Sequence, residues 1–174
     1  MCIRDRTEGP FYPTEALNDT DGDLVRFGDR VYTLGQAVTV SGRVINTRGQ
    51  PVTDATVEIW QCDEAGHYRH PRGGPVHESF QGFGRAAVDA QGGYRFRTIR
   101  PSPYVGRTPH IHVKVRRGSQ SVLTTQMYVA GLPSNERDVL YRALAPRERE
   151  ALTVPFESDG ERGQRAVFDI VLRA

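Results

Sequence analysis

The stretch TPHIHVKV (108–115) decides the fold. Side chains along an extended chain point alternately to opposite faces, so residues two apart share a face. His110 and His112 therefore look one way, while Ile111, Val113 and Val115 look the other. Such alternation behind a proline reads as a β-strand with its apolar face on a core. The paired imidazoles have no comparable packing role.

The same period extends outward. Upstream, RPSPYVGRTP (100–109) is a proline-stiffened loop; downstream, a turn at Arg117-Gly118 leads into QSVLTTQMYV (120–129). AVTVSGRV (37–44) puts Val38, Val40, Gly42 and Val44 on one face. TVEIWQC (56–62) opposes Val57, Ile59 and Gln61 to Glu58, Trp60 and Cys62. Asn46, Gly49 and Pro51 supply turn chemistry between those two runs. GRAAVDAQGGYRFRTI (84–99) reads as a hairpin around Ala90-Gln91-Gly92, with Tyr94 and Phe96 inward. RAVFDIVLRA (165–174) reads as a closing strand with Phe168, Ile170 and Leu172 on one face. SNERDVLYRALAPREREAL (134–152) is the single helical stretch, with a break expected at Pro146. Short strands with turns between them predict an all-β sandwich or barrel with one short helical segment near the C-terminus.

The totals bound the function. The chain has 174 residues, 37% hydrophobic and 25% charged, which suits one globular domain. Its formal charge of +2 is too even to imply a nucleic-acid or membrane partner. No apolar run approaches the roughly 20 residues of a membrane span. Cys2 and Cys62 do not make a disulfide framework. MCIRDR (1–6) has no strand, turn or helix logic and reads as a non-native start. Residues 7–36, rich in Gly, Asp and Pro, read as an arm and loop packing on a domain spanning 37–174. The default compartment is the cytoplasm, and export stays open if the native start is missing.

Two histidines on one strand face raise a metal site to about even odds against surface or cross-strand histidines. His67, His70 and His77 sit in loops, where a solvated histidine is the commoner case. No H-E-x-x-H helix or paired cysteines at finger spacing support zinc. Tyr68 and Tyr104 also sit in loops, where a tyrosine is usually a packing residue. A hard trivalent cation nevertheless favours anionic oxygen and can lower a phenol's pKa far enough to ionise it.

The chain resembles the intradiol ring-cleavage dioxygenases, the non-haem ferric enzymes of the protocatechuate 3,4-dioxygenase type. The matching segments are TEGPFYP (7–13), VSGRV (40–44), GQPVTDATVEIWQCDEAGHYRHP (49–71), GFGRAAVDAQGGYRFRTIRPSPY (82–104), GRTPHIHVKV (106–115) and LTTQMY (123–128). The ordered set G-x-Y-x-H, R-P-x-P-Y and R-x-x-H-x-H is far more specific than any one piece. The resemblance implies the family's β-sandwich and Fe(III) held by Tyr68, Tyr104, His110 and His112. It implies that Arg107 steadies negative charge on the bound ring and that Gln126 lies beside it. Pro10 matches a residue lining the substrate pocket. Tyr104 matches the tyrosinate that leaves the metal and takes up a substrate proton. The implied reaction inserts O2 into a catechol-type aromatic diol and cleaves between its hydroxyl-bearing carbons, giving a cis,cis-muconate type diacid; a homo-oligomer is also implied. Two features depart from the family. The run from Tyr104 to His110 is short and lacks a tryptophan, and the helical N-terminal domain of catechol and hydroxyquinol enzymes is absent from the sequence. The competing reading is a metal-free transthyretin-like or carboxypeptidase-regulatory-like sandwich, which VSGRVINTRGQPVTDATVEIW (40–60) also resembles.

Overall fold

The computed structural model describes residue 3, residues 5–15 and residues 17–173. A short ribbon, β1 (Arg26–Phe27) with β2 (Arg30–Val31), lies within the N-terminal loop region. β3 (Ala37–Asn46), β4 (Ala55–Trp60), β5 (Phe83–Ala87), β6 (Gly93–Ile99), β7 (His110–Arg117) and β8 (Gln120–Val129) follow. Two short helices, α1 (Val139–Arg142) and α2 (Pro146–Leu152), precede β9 (Thr153–Val154), β10 (Glu157–Ser158), β11 (Gln164–Val167) and β12 (Ile170–Leu172). One five-stranded sheet runs β10-β11-β3-β12 with β6 paired to β3; the other runs β5-β4-β7-β8-β9. The fold is an all-β sandwich.

The alternating pattern explains the core between the sheets. Val38, Val40 and Val44 of β3 meet Phe96 of β6, Val57 and Ile59 of β4, and Ile111, Val113 and Val115 of β7, all buried. Each such side chain contributes roughly 1.5–3 kcal/mol on leaving water. Gly42 belongs to this inward face for a steric reason. A Cβ there would lie 2.0 Å from the Phe168 carbonyl oxygen, which accepts from Tyr94 Oη.

That carbonyl belongs to a bend in the closing strand. The expected continuous strand is two, β11 and β12, both parallel to β3 and interrupted at Phe168–Asp169. Arg43 N–H donates to Asp169 Oδ1 (2.9 Å) and Phe168 N–H to Ser41 O (2.8 Å), so the bend is held by β3 itself. Phe168, Ile170 and Leu172 are buried as the pattern predicts.

Two expectations need correction. β5 and β6 do not form a hairpin: β5 pairs with β4 and β6 with β3, so residues 88–92 cross from one sheet to the other. Asp89 Oδ1 accepts from Gln91 and Gly93 N–H, and Gly92 has φ +85°, features that a hairpin and a crossing share. The C-terminal helical stretch is in three pieces: a 3-10 turn (Pro133–Arg137), α1 and α2. The chain leaves helical geometry before Pro146, and the proline opens α2, where its missing N–H needs no partner.

β4 and β7 are buried on both faces. Glu58, Trp60, His110, His112 and Lys114 point away from the main core yet are at most 5% exposed. The N-terminal arm and two loops cover them, building a second cluster from Trp60, Cys62, Tyr68 and Phe83 with Phe11, Tyr12, Leu17 and Tyr104. Lys114, the only lysine, sits 3.5 Å over the Tyr12 ring and pairs with Glu8. Glu58 accepts from Tyr12 Oη (2.8 Å) and Arg85 Nε (3.0 Å). Within the segment set aside above, Ile3 is buried in the main core and Asp5 accepts from Thr124 N–H; Cys2 lies outside the described residues. Cys62 is free and buried.

Gly42→Ala is expected to lower stability by about 3 kcal/mol, because the new methyl has nowhere to go without moving the closing strand. Urea denaturation measures it, and an unchanged midpoint contradicts the packing described.

Candidate metal centre

The two sequence-predicted histidines face one point. His110 Nε2 and His112 Nε2 are 3.2 Å apart, and both side chains are about 1% exposed. Their orientation comes from β7, which pairs His112 with Trp60 of β4 and with Gln126 of β8, and His110 with Tyr128. His110 Nδ1 lies 2.7 Å from the Thr108 carbonyl. A carbonyl only accepts, so Nδ1 carries the proton and Nε2 keeps its lone pair. The Trp60 indole stacks on the His112 ring at 4.8 Å and 8°.

Both phenols come from loops. The 61–82 loop is folded around buried Asp63, whose carboxylate accepts from the N–H groups of Ala65, His67 and His77. Tyr68 N–H donates to Gly73 O at 2.9 Å, and a Cβ at Gly73 would lie 2.3 Å from Tyr68 O. Tyr104 begins a four-residue turn closed by Arg107 N–H to Tyr104 O (2.8 Å), with Gly106 at φ +77° as a type II turn requires. The Tyr104 ring lies 5.3 Å from that of Tyr68 and 5.5 Å from that of His110; Tyr68 lies 6.0 Å from His112. Thus Tyr68, Tyr104, His110 and His112, 44 residues apart in sequence (112 − 68), form one cluster.

Arg107 and Gln126 adjoin it. Arg107 Nη2 donates to Gln126 Oε1 (2.6 Å) and Nη1 to Tyr104 Oη (3.3 Å). Pro10 is exposed, but both its neighbours touch the cluster. Phe11 stacks on Tyr68 at 4.6 Å, and a Cβ on Gly9 would meet His112 Cε1 at 3.2 Å. Of the loop histidines, His77 packs on Tyr32 and His67 lies near Asp63, while His70 contacts Phe11 edge-on. Sequence reasoning placed Trp60 on the outer face of its strand without a role at the site, and missed Phe11, Asp63 and Asp138; an aromatic or acidic residue in a loop carries no periodic signal.

Burial sets the electrostatics. It pushes the Tyr68 phenol well above its ordinary range and raises Tyr104 too, despite Arg107 beside it. It lowers His110 to about 4, helped by the Arg107 guanidinium. His112 is driven further down by burial, by His110 and by Arg107. The histidines are therefore neutral donors, and a phenolate here needs a cation to hold it. Tyr68 Oη is buried without a well-formed hydrogen bond, and His112 Nδ1 has none. Among the described residues no three His, Cys, Asp or Glu side chains are placed to hold a metal. What converges is two neutral imidazoles and two ionisable phenols, a donor set that fits a trivalent cation and is poor in the thiolates and carboxylates typical of zinc.

A family model described as "Dioxygenase" matches residues 7–174. The protocatechuate 3,4-dioxygenase beta chain of Burkholderia cepacia is 36% identical, the match covering 94% of this chain and 76% of that protein. The hydroxyquinol 1,2-dioxygenase of Corynebacterium glutamicum is 30% identical over 94% of this chain and 61% of its own length. The dioxygenase domain of a dioxygenase–carbohydrate-binding protein fusion from Streptomyces sp. SirexAA-E superposes with a TM-score of 0.79 and 33% identity, covering 100% of this chain and 99% of that one.

The lowered histidines predict a pH dependence for the metal-free protein. The unfolded chain takes a proton near pH 6.5 and folded His110 only near 4, so stability falls as pH drops through that window. The slope is about 1.4 kcal/mol per pH unit for this group, with His112 acting in the same direction. Urea denaturation between pH 7 and 5 measures it; His110→Gln/His112→Gln protein should show the shallower slope.

Proposed function

This chain belongs to the intradiol ring-cleavage dioxygenases, an oxidoreductase family known for non-haem iron, and from that premise we propose that it holds Fe(III) through Tyr68, Tyr104, His110 and His112. The proposed reaction adds O2 to an aromatic ortho-diol and breaks the bond between the two hydroxyl-bearing carbons to give a cis,cis-muconate type diacid. The observation that carries this reading is the buried convergence of two imidazole Nε2 atoms, 3.2 Å apart, with two phenols. A metal-free sandwich module has no use for such a set.

The iron would supply Lewis acidity that draws electron density through the bound diol and readies a ring carbon for dioxygen. The remaining work falls to the chain. Tyr104 Oη is the proton acceptor for a diol hydroxyl, general-base work by a phenolate. Tyr104 opens a turn closed by Arg107 N–H and built on Gly106, outside the strands of the sandwich. Arg107 provides fixed positive charge beside Tyr104, where charge builds on the ring and water is partly excluded. Gln126 fixes the far end of that guanidinium. Phe11 holds the Tyr68 ring by stacking, and Pro10 continues the same arm at the mouth of the site.

Ferric-loaded protein should be reddish from phenolate-to-iron absorption. Tyr68→Phe should weaken that band and His112→Ala should fail to retain iron. Arg107→Met should keep the band and lose about 100-fold in kcat/KM. Oxygen uptake across catechol, protocatechuate, hydroxyquinol and chlorinated catechols identifies the preferred diol. Protein that stays colourless after ferric loading contradicts the proposal.

A further inference from the structure

Behind the site, the segment leading into β7 and the start of α1 meet at one carboxylate. The Asp138 side chain is 0% exposed. Its Oδ2 accepts from Arg107 Nε at 2.8 Å and from Thr108 N–H at 2.9 Å. Its Oδ1 accepts from Leu140 N–H at 2.8 Å and Tyr141 N–H at 3.0 Å, capping α1. The Thr108 hydroxyl donates to Asn135 Oδ1 (2.7 Å), tying the same turn to the 3-10 segment. The Thr108 carbonyl orients His110.

These contacts separate two roles. Capping α1 takes Oδ1 alone, and asparagine caps a helix as well as aspartate does; its amide nitrogen cannot accept from Thr108 N–H, a loss that would reach His110 and the visible band rather than Arg107. Holding a guanidinium that is 15% exposed calls for a full counter-charge. With Nε on Asp138, Nη2 on Gln126 and Nη1 on Tyr104 Oη, the planar group is fixed on three sides. Burial works against the Asp138 carboxylate, but the Thr108 and Tyr141 N–H groups and Arg107 outweigh it and keep its pKa below the ordinary value.

We propose that Asp138 is a positioning residue for the reaction, acting through Arg107 to aim its guanidinium at the place beside Tyr104 Oη where negative charge builds on the diol. This role rests on the proposed dioxygenase function.

The test uses ferric-loaded wild type, Asp138→Asn, Arg107→Met and the double variant. Turnover of the preferred diol is followed by oxygen uptake, and 4-nitrocatechol binding by absorption. Asp138→Asn should keep the visible band and a single cooperative unfolding transition at a lower midpoint, while kcat falls at least tenfold, more than KM changes, and 4-nitrocatechol binds several-fold more weakly. In the Arg107→Met background the same substitution should change kcat less than twofold. Asp138→Ser, another capping residue without charge, should reproduce the loss and guards against a folding defect peculiar to asparagine. Wild-type turnover in Asp138→Asn, an equal loss in the Arg107→Met background, or loss of the band with the activity each overturns the role while leaving the function standing. A wild type with neither band nor oxygen uptake overturns both.

Discussion

Two imidazole nitrogens held 3.2 Å apart, buried and without a counter-charge, are the constraint on which the rest depends. Buried imidazoles that resist protonation and bring their Nε2 atoms to one point make poor packing and good ligands. A β-strand delivers such a pair at no conformational cost, because residues two apart share a face. The opposite face of β7 carries Ile111, Val113 and Val115 into the main core, which fixes the register of the histidines. A one-residue slip would exchange the core set for the imidazoles, and the sandwich forbids it.

The sheet bearing the pair is covered on its outer side as well. Arm and loops form a second cluster in which aromatic rings pack around the site and the polar groups are paired farther out, at Glu58 and Lys114. This arrangement gives a low-dielectric site whose walls come from the arm and the loops. Rigid strands carry the imidazoles, and turns carry the phenols. Tyr104 sits on the shorter of the two loops, next to Arg107, so the proposed proton acceptor and the guanidinium charge lie side by side in the same four-residue turn.

Period-two alternation made the core legible in the sequence. It identified β3, β4, β7 and β8, the inward residues of the first three, and the shared face of His110 and His112. It misread residues 88–92, because an aspartate-capped turn with glycines joins strands of one sheet or of two with the same local chemistry. In the helical stretch it anticipated the break at Pro146 but not the division at Asp138, which separates the 3-10 segment from α1. The phenols carry no periodic signal and were reached through the family resemblance of their ordered motifs. Asp63 and Asp138 were invisible for a related reason: Asp63 collects N–H groups across its own loop and Asp138 takes one from Thr108, and nothing at either position records that.

The central claim is that four side chains from two loops and one strand share a single iron. A crystal structure of ferric-loaded protein with diffraction recorded on both sides of the iron absorption edge tests it most directly. The account predicts one anomalous peak bonded to Tyr68 Oη, Tyr104 Oη, His110 Nε2 and His112 Nε2. A peak elsewhere, or none in a fully loaded protein, would contradict it.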